Sequence, residues 1–228
     1  MQTHRVLGMM SGTSLDGLDL AYCHLWQHQG KWDFEIRKCT TISYQEPLYS
    51  SLKKAIHLSE KEHQNLHKDY GGWLGEQAKK FIQEHQLDVD FIASHGHTSH
   101  HRPEEGITFQ LGDGQALANA SGKKVICDFR TLDVQLGGQG APLVPIGDAL
   151  LLSEYVFCLN LGGISNISFQ KQGKRYAYDI GMANMPLNYV TEKIGLAFDA
   201  GGKLAASGTK LAELYKALNS LQYYNLPY

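Results

Sequence analysis

Paired cysteines, a secretory leader, a membrane span and an excess of basic charge are all missing from this sequence. Its four cysteines, Cys23, Cys39, Cys127 and Cys158, lie far apart with no CxxC among them. Three of them stand in apolar, strand-like runs. Buried thiols in a reducing compartment are expected, not a disulfide frame or a cysteine metal site. A formal net charge of −2 offers nucleic acid no basic face. The first residues, MQTHRV, lack the long apolar segment of a secretory signal. The longest uncharged run near the middle, Tyr155–Gln170, is too short to cross a bilayer and is broken by Asn160, Gly162, Gly163 and Asn166. These absences predict a cytoplasmic protein with no nucleic-acid and no membrane partner.

What is present is a chain of 228 residues, 43% apolar and 19% charged, long enough for one large domain or two small ones. Strand-like runs at Arg5–Met10, Leu18–Trp26 and Phe34–Ser43 read as an antiparallel meander. A helix follows, opened by a capping box of Ser59 and Glu62, with Leu66, Tyr70, Trp73, Leu74, Phe81 and Ile82 at helical spacing. Gly71-Gly72 predicts a kink or a close helix contact within it. Then come a strand at Phe91–Ser94, a polar loop, a strand at Ile107–Leu111, a helix near Gly114–Ala120 and a strand at Lys124–Cys127. Alternation of this kind predicts an α/β architecture with a mixed sheet.

About 150 residues after the first corner, the opening pattern returns. Tyr155–Gln170 is again strand, glycine-rich polar turn and strand, Lys174–Ile180 supplies a third strand, and Asn184–Ile194 a helix. Both first corners carry glycine with hydroxyl or amide groups, which favours a duplication over two unrelated hairpins. The boundary between the halves is expected in the segment GGQGAPLVPIGD, giving domains 1–145 and 146–228.

The opening corner, SGTSLDGLD, holds the densest polar chemistry. Glycines admit a close ligand, and consecutive amides in a tight turn make an anion nest. Thr13 and Ser14 add hydroxyls, while Asp16 or Asp19 suits a magnesium ion held through water. Phosphates of a nucleotide fit this chemistry, although it is not the lysine-bearing P-loop. The plain alternative is a hairpin turn whose Ser, Asp and Gly serve turn geometry alone. Leu161–Asn166, with Gly162 and Gly163, is a second corner able to hold the same phosphates from the opposite side.

Asp179 ends the strand RYAYDI on the face opposite Tyr176, Tyr178 and Ile180, and is a candidate general base. Asn184 is a candidate helix cap or ligand contact. SHGHTSHHRP packs four histidines into seven positions. A zinc site there competes with a surface loop making a few polar contacts, and the second is favoured. Arg130 can grip an anionic group or pair with Asp128 or Asp133.

Taken together, these stretches resemble one family, the anhydro-N-acetylmuramic acid kinases. MSGTSLDGLD looks like that family's opening signature. SHGHT is similar to its SHGQT, with His97 in place of glutamine. CDFRTLDVQLGGQGAPLVPIGD, NLGGISNIS and FDAGGKLAASG resemble further motifs of the family, so the likeness runs from Met10 to Gly208. One departure is Asp179-Ile180-Gly181-Met182-Ala183-Asn184 where the family commonly has DTGPGN. The other is length: members usually continue beyond this chain's last residues, which by that comparison leaves the second lobe incomplete.

The resemblance implies a two-lobed fold like that of actin, hexokinase and the heat-shock ATPases, with a duplicated mixed sheet. It implies ATP and magnesium as cofactors, a cell-wall sugar as substrate, and Asp179 as catalytic base. Beside it, Gly12, Thr13, Ser14, Leu15, Asp16, Gly17, Leu18, Asp19, Gly162 and Gly163 are the candidate nucleotide-binding residues, and His95, Thr98, Arg130 and Asn184 the candidate sugar contacts, Arg130 because a carboxylate is matched by a guanidinium. The oligomeric state stays open, a homodimer included. Two rivals from other classes stand beside this reading: a nucleotide- or sugar-binding module without turnover, and a zinc hydrolase built on the histidines.

Overall fold

The computed structural model describes residues 2–141 and 143–225. Its strands are β1 (Thr3–Ser11), β2 (Leu18–His28), β3 (Lys31–Ile42), β4 (Phe91–Arg102), β5 (Ile107–Leu111), β6 (Val125–Cys127), β7 (Phe157–Leu161), β8 (Ile164–Lys171) and β9 (Lys174–Met182). Its helices are α1 (Leu48–Lys53), α2 (Glu60–Glu84), α3 (Gly114–Ser121), α4 (Thr131–Gln135), α5 (Leu143–Leu151), α6 (Asn184–Glu192), α7 (Lys203–Ser207) and α8 (Ala212–Asn219). The chain divides into two compact units, Met1–Asn160 with Ser165–Ile180, and Leu161–Ile164 with Gly181–Tyr228.

In the first unit one sheet runs β3-β2-β1-β4-β5, with β6 also paired to β4. The meander β1–β2–β3 is antiparallel, as expected, from Thr3↔Trp26 to Ser11↔Leu18. β4 lies parallel to β1 (Val6↔Phe91) and to β6 (Ile92↔Val125), and antiparallel to β5 (His97↔Leu111). The sheet is therefore mixed. A central parallel strand is buried on both faces and needs a near-continuous apolar run. Val6, Leu7 and Met9 supply it on β1, and Ile92 on β4. α2 lays Tyr70, Leu74, Ala78, Phe81 and Ile82 on this layer, against Leu7, Leu18, Leu20, Leu111 and Leu117.

Ser59 caps α2 through the anticipated box: its hydroxyl accepts from the Glu62 amide, and the Glu62 side chain returns to the Ser59 amide. Of the three glycines of α2, Gly71 and Gly75 give a close contact rather than a kink, and Gly72 meets nothing within 4 Å. A Cβ on Gly71 would stand 2.5 Å from the Asp113 carbonyl, and one on Gly75 would stand 2.6 Å from Ala120 Cβ. The backbones of α2 and the α3 N-terminal loop touch because nothing intervenes.

Two expectations are corrected. The histidine-rich stretch is not a loop: β4 continues through it to Arg102. Two register slips let it do so, one opposite Met9–Ser11 and one between Thr98 and His100. Gly96 takes φ +71°, with the Leu111 carbonyl where its Cβ would be, so this strand bulges at a residue only glycine can supply. The thiols are free, but none is fully buried, and Cys39 is exposed because β3 is the edge of its sheet.

The segment GGQGAPLVPIGD, where the domain boundary was expected, forms a turn around Asp133 followed by α5. A three-stranded sheet, β7-β8-β9, repeats the strand–turn–strand–strand order of the opening meander. Asp148 of α5 joins it, accepting from Ser168 on β8, whose hydroxyl accepts in turn from Arg175 Nη2 at 2.8 Å. The second unit holds α6, α7 and α8. Asp199 fixes α7 by accepting the amides of Leu204 and Ala205, both at 2.9 Å, and those bonds hold its carboxyl below the usual range. Among the described residues, no helix is long and apolar enough to cross a membrane.

Candidate functional site

β1, β4 and β6 run parallel, and the carboxyl ends of β1 and β6 come level with the middle of β4, at Ser11↔His97 and Ser94↔Cys127. Ligands of α/β sheets collect at such carboxyl ends. Three sequence-predicted elements meet there: the corner after β1, the bulged middle of β4, and the turn after β6 that leads to Arg130.

The corner divides its residues sharply. Thr13, Ser14, Asp16 and Asp19 are exposed, and Gly12 is half-buried. Leu15 and Leu18 are buried and give their side chains to the core, leaving only backbone to a ligand. Leu15 adopts φ +55°, and its amide closes a turn onto the Gly12 carbonyl at 3.2 Å. Gly17 is glycine for packing: a Cβ there would lie 2.6 Å from Thr41 Cγ2 and 2.9 Å from the Ile42 carbonyl. Ser14 Oγ donates to Asp16 Oδ1 at 2.8 Å, and Thr41 Oγ1 to Asp19 Oδ1 at 2.5 Å. Each carboxylate thus keeps a second oxygen for a ligand.

Below the corner, His95 and His97 stand on β4. Arg130 Nε donates to His95 Nε2 at 3.0 Å, and its guanidinium also donates to the Gly140 carbonyl. Burial holds the His95 and His97 rings below the usual imidazole range, His97 at about 4, with the neighbouring charge of Arg130 and of His95 acting in the same direction. Arg130 is itself lowered by burial. It takes neither carboxylate partner that the sequence offered. Asp133 instead accepts the Gly140 amide at 2.6 Å, so the glycine-rich turn is wrapped around Asp133 while Arg130 braces it from His95. Thr98 Oγ1 lies 3.5 Å from Gln110 Nε2. Ser94 Oγ and Gln110 Oε1 are buried and make no hydrogen bond within the protein. Buried polar atoms of this kind are satisfied by water or ligand.

The second corner is tied to α6 within its own unit. The Gly162 carbonyl accepts from the Asn184 amide at 3.0 Å, and the Gly163 carbonyl from Ala183 and Met185. Asn184 does not cap α6; Ala183 holds that position, and the Asn184 side chain donates to the Leu161 carbonyl at 3.2 Å. Asp179 is an exposed residue of β9, alternating with Tyr176 and Tyr178, which pack on Phe169. The alternation follows from strand geometry, as the sequence predicted, but β9 runs on to Met182, so Asp179 does not end it.

Sequence reasoning missed Tyr44 and Tyr70, whose hydroxyls run beneath the corner. A tyrosine in an apolar pattern carries no signal that its oxygen will be used. Among the described residues no three histidine, cysteine, aspartate or glutamate side chains are placed to hold a metal ion. The histidines of β4 bond instead to Ser11, the Gly96 carbonyl, Ser99 and Thr108.

Known structures give only a loose likeness. The ethanolamine utilization protein EutJ from Carboxydothermus hydrogenoformans shares 10% identity over 90% of this chain and 61% of its own, at a TM-score of 0.36. YeaZ from Pseudomonas aeruginosa reaches 0.23. Sequence relatives are far closer. Anhydro-N-acetylmuramic acid kinases from Ruegeria sp. (strain TM1040) and Rhodospirillum rubrum are each 34% identical over 90% and 97% of this chain, and that of Brucella suis is 37% identical over 90%. The chain spans 56%, 61% and 60% of their respective lengths. Residues 4–228 match the family defined by these kinases. The chain belongs to the anhydro-N-acetylmuramic acid kinase family.

Proposed function

We propose that the protein is an ATP-dependent sugar kinase that opens 1,6-anhydro-N-acetylmuramic acid with water and phosphorylates it to N-acetylmuramic acid 6-phosphate, in the cytoplasmic recycling of cell-wall peptidoglycan. One observation carries this reading: in a chain of this family, Gly12–Ser14 and Arg130, which follow the carboxyl ends of β1 and β6, stand beside His95–Thr98 in the middle of β4, the strand parallel to both. The two-lobed, actin-like arrangement belongs to the same proposal and is supported by the repeated strand–turn–strand–strand order.

In this reading the amides and hydroxyls of Gly12, Thr13 and Ser14 bind phosphate. Magnesium is suited by few protein oxygens and several waters. The donor set fits that habit, with single carboxylates at Asp16 and Asp19 and no closed cage. Magnesium supplies neutralisation of the transferring phosphoryl charge. Arg130 meets the sugar's carboxylate, for which a guanidinium is the matching partner, while His95 and Thr98 meet its polar groups.

Asp179 takes a proton from the water that attacks C1. The C1–O bond to the 6-oxygen breaks as the new C1–O bond forms. The freed 6-oxygen then attacks the γ-phosphorus, the β,γ-bridging P–O bond breaks, and ADP leaves. The protein's share is positioning and charge stabilisation. A coupled assay for ADP tests the assignment. ADP release that requires the anhydro sugar supports it, and release indifferent to the sugar, or none, contradicts it.

A further inference from the structure

Beneath the first corner lies a row of polar groups in an otherwise apolar core. Tyr44 OH donates to Ser11 Oγ at 2.7 Å and lies 2.8 Å from Tyr70 OH, and Ser11 Oγ lies 3.1 Å from His97 Nδ1. All four residues are buried: Tyr70 is 0% exposed, Ser11 1%, His97 4% and Tyr44 8%. They come from four places, namely the end of β1, the connection after β3, α2 and β4.

Each hydroxyl has one proton, which gives the row a direction. Tyr44 spends its proton on Ser11, so its oxygen accepts from Tyr70. Ser11, accepting from Tyr44, turns its own proton to His97 Nδ1. In that arrangement the nitrogen is bare and the ring's proton sits on Nε2. Buried polar networks are costly unless fully satisfied, and when satisfied they fix one geometry. This one passes through Ser11, next to Gly12, where the phosphate-binding corner begins.

We propose that Tyr70, Tyr44 and His97 are positioning residues that act through Ser11 to hold the Gly12–Ser14 corner in its ligand-binding shape. The proposal rests on the reading of that corner as a phosphate site. It goes further by making the shape depend on two tyrosine hydroxyls buried in the core. The titratable groups facing the row are His95 on the same strand as His97, with Asp16 and Asp19 acting on Tyr44 from the corner. A proton added at His97 Nδ1 would oppose the proton of Ser11, so the row resists that charge. Removing the Tyr44 hydroxyl frees Ser11 to turn round and accept it.

The test compares Tyr44→Phe and Tyr70→Phe with Tyr22→Phe, a control whose hydroxyl is donated to the Asp88 carbonyl instead. Three readouts are taken: backbone amide shifts of Gly12–Gly17, imidazole nitrogen shifts of His97 across pH, and MgATP affinity. Tyr44→Phe should move the corner amides, raise the His97 midpoint by about half a unit or more, and weaken MgATP about three- to tenfold. Tyr70→Phe should do the same more weakly, and Tyr22→Phe should do none of it even where it lowers Tm. Corner amides and His97 midpoint that stay put in both variants overturn the proposal. Should Tyr44→Phe fail to fold, Tyr70→Phe and the His97 tautomer of the parent decide, an Nδ1-protonated ring being the contrary result. A parent that does not bind MgATP removes the nucleotide reading alone, since the two magnetic-resonance readouts judge the network without it.

Discussion

Arg130 Nε donates to His95 Nε2 across 3.0 Å, while His95 Nδ1 lies 3.1 Å from the Gly96 carbonyl. A guanidinium only donates, so Nε2 is bare and the imidazole proton sits on Nδ1, given to Gly96. The ring is neutral, and the arginine is anchored at two points, His95 and Gly140, before any substrate arrives. A lysine cannot keep both bonds. Arg130→Lys should raise the KM for the anhydro sugar about 10- to 100-fold, the range of one charged hydrogen bond, with a smaller change in kcat. An unchanged KM would remove Arg130 from substrate binding.

Acid should weaken the fold through the same strand. The unfolded His97 ring titrates at 6.5, whereas burial, assisted by His95, keeps the folded ring neutral down to about 4. The unfolded state therefore binds the extra proton in this window. Stability is complete above 6.5 and declines as pH falls toward 4. His95, His63 and His67 are lowered in the same sense, each chiefly by burial. For His97 alone the loss between about pH 7 and about pH 5 is about 2 kcal/mol. Urea midpoints at the two pH values should draw together in His97→Gln; an unaltered gap contradicts the assignment.

Adjacent glycines of α2 should respond in opposite ways. Alanine at Gly72 meets nothing within 4 Å, so the variant gains helix propensity, up to about 1 kcal/mol. Alanine at Gly71 would press on the Asp113 backbone at 2.5 and 2.7 Å, and should cost about 2 kcal/mol or more. Thermal unfolding of the two variants measures the difference. Equal shifts would mean that α2 and the Asp113 loop are not in contact.

That pair also shows what the sequence could and could not convey. Gly71-Gly72 announced a special point on the helix, but only the partner element reveals which glycine makes the contact. The strands, the capping box and the opening meander follow from period and propensity over short windows, and they were legible. β4 was half-read, because four histidines, a glycine and a serine resemble a loop until β1 and β5 are placed on either side to pair with them. The anion-binding look of SGTSLDGLD was legible in composition, but its division was not. Gly17, Leu15 and Leu18 face inward, and only the register with β3 dictates that. Asn184 was a plausible cap by residue type, and the neighbouring Leu161 carbonyl took its side chain instead.

Asp179 carries the central claim, and isotopic water tests it most directly. With ATP and 1,6-anhydro-N-acetylmuramic acid in 18-oxygen water, mass spectrometry should find one heavy oxygen on C1 of the product sugar phosphate and none in the transferred phosphoryl group. Asp179→Asn should cut formation of that product by about 10²- to 10⁴-fold while MgATP affinity stays as in the parent. Product formed at the parental rate by Asp179→Asn, or a product without the heavy oxygen at C1, would contradict the account.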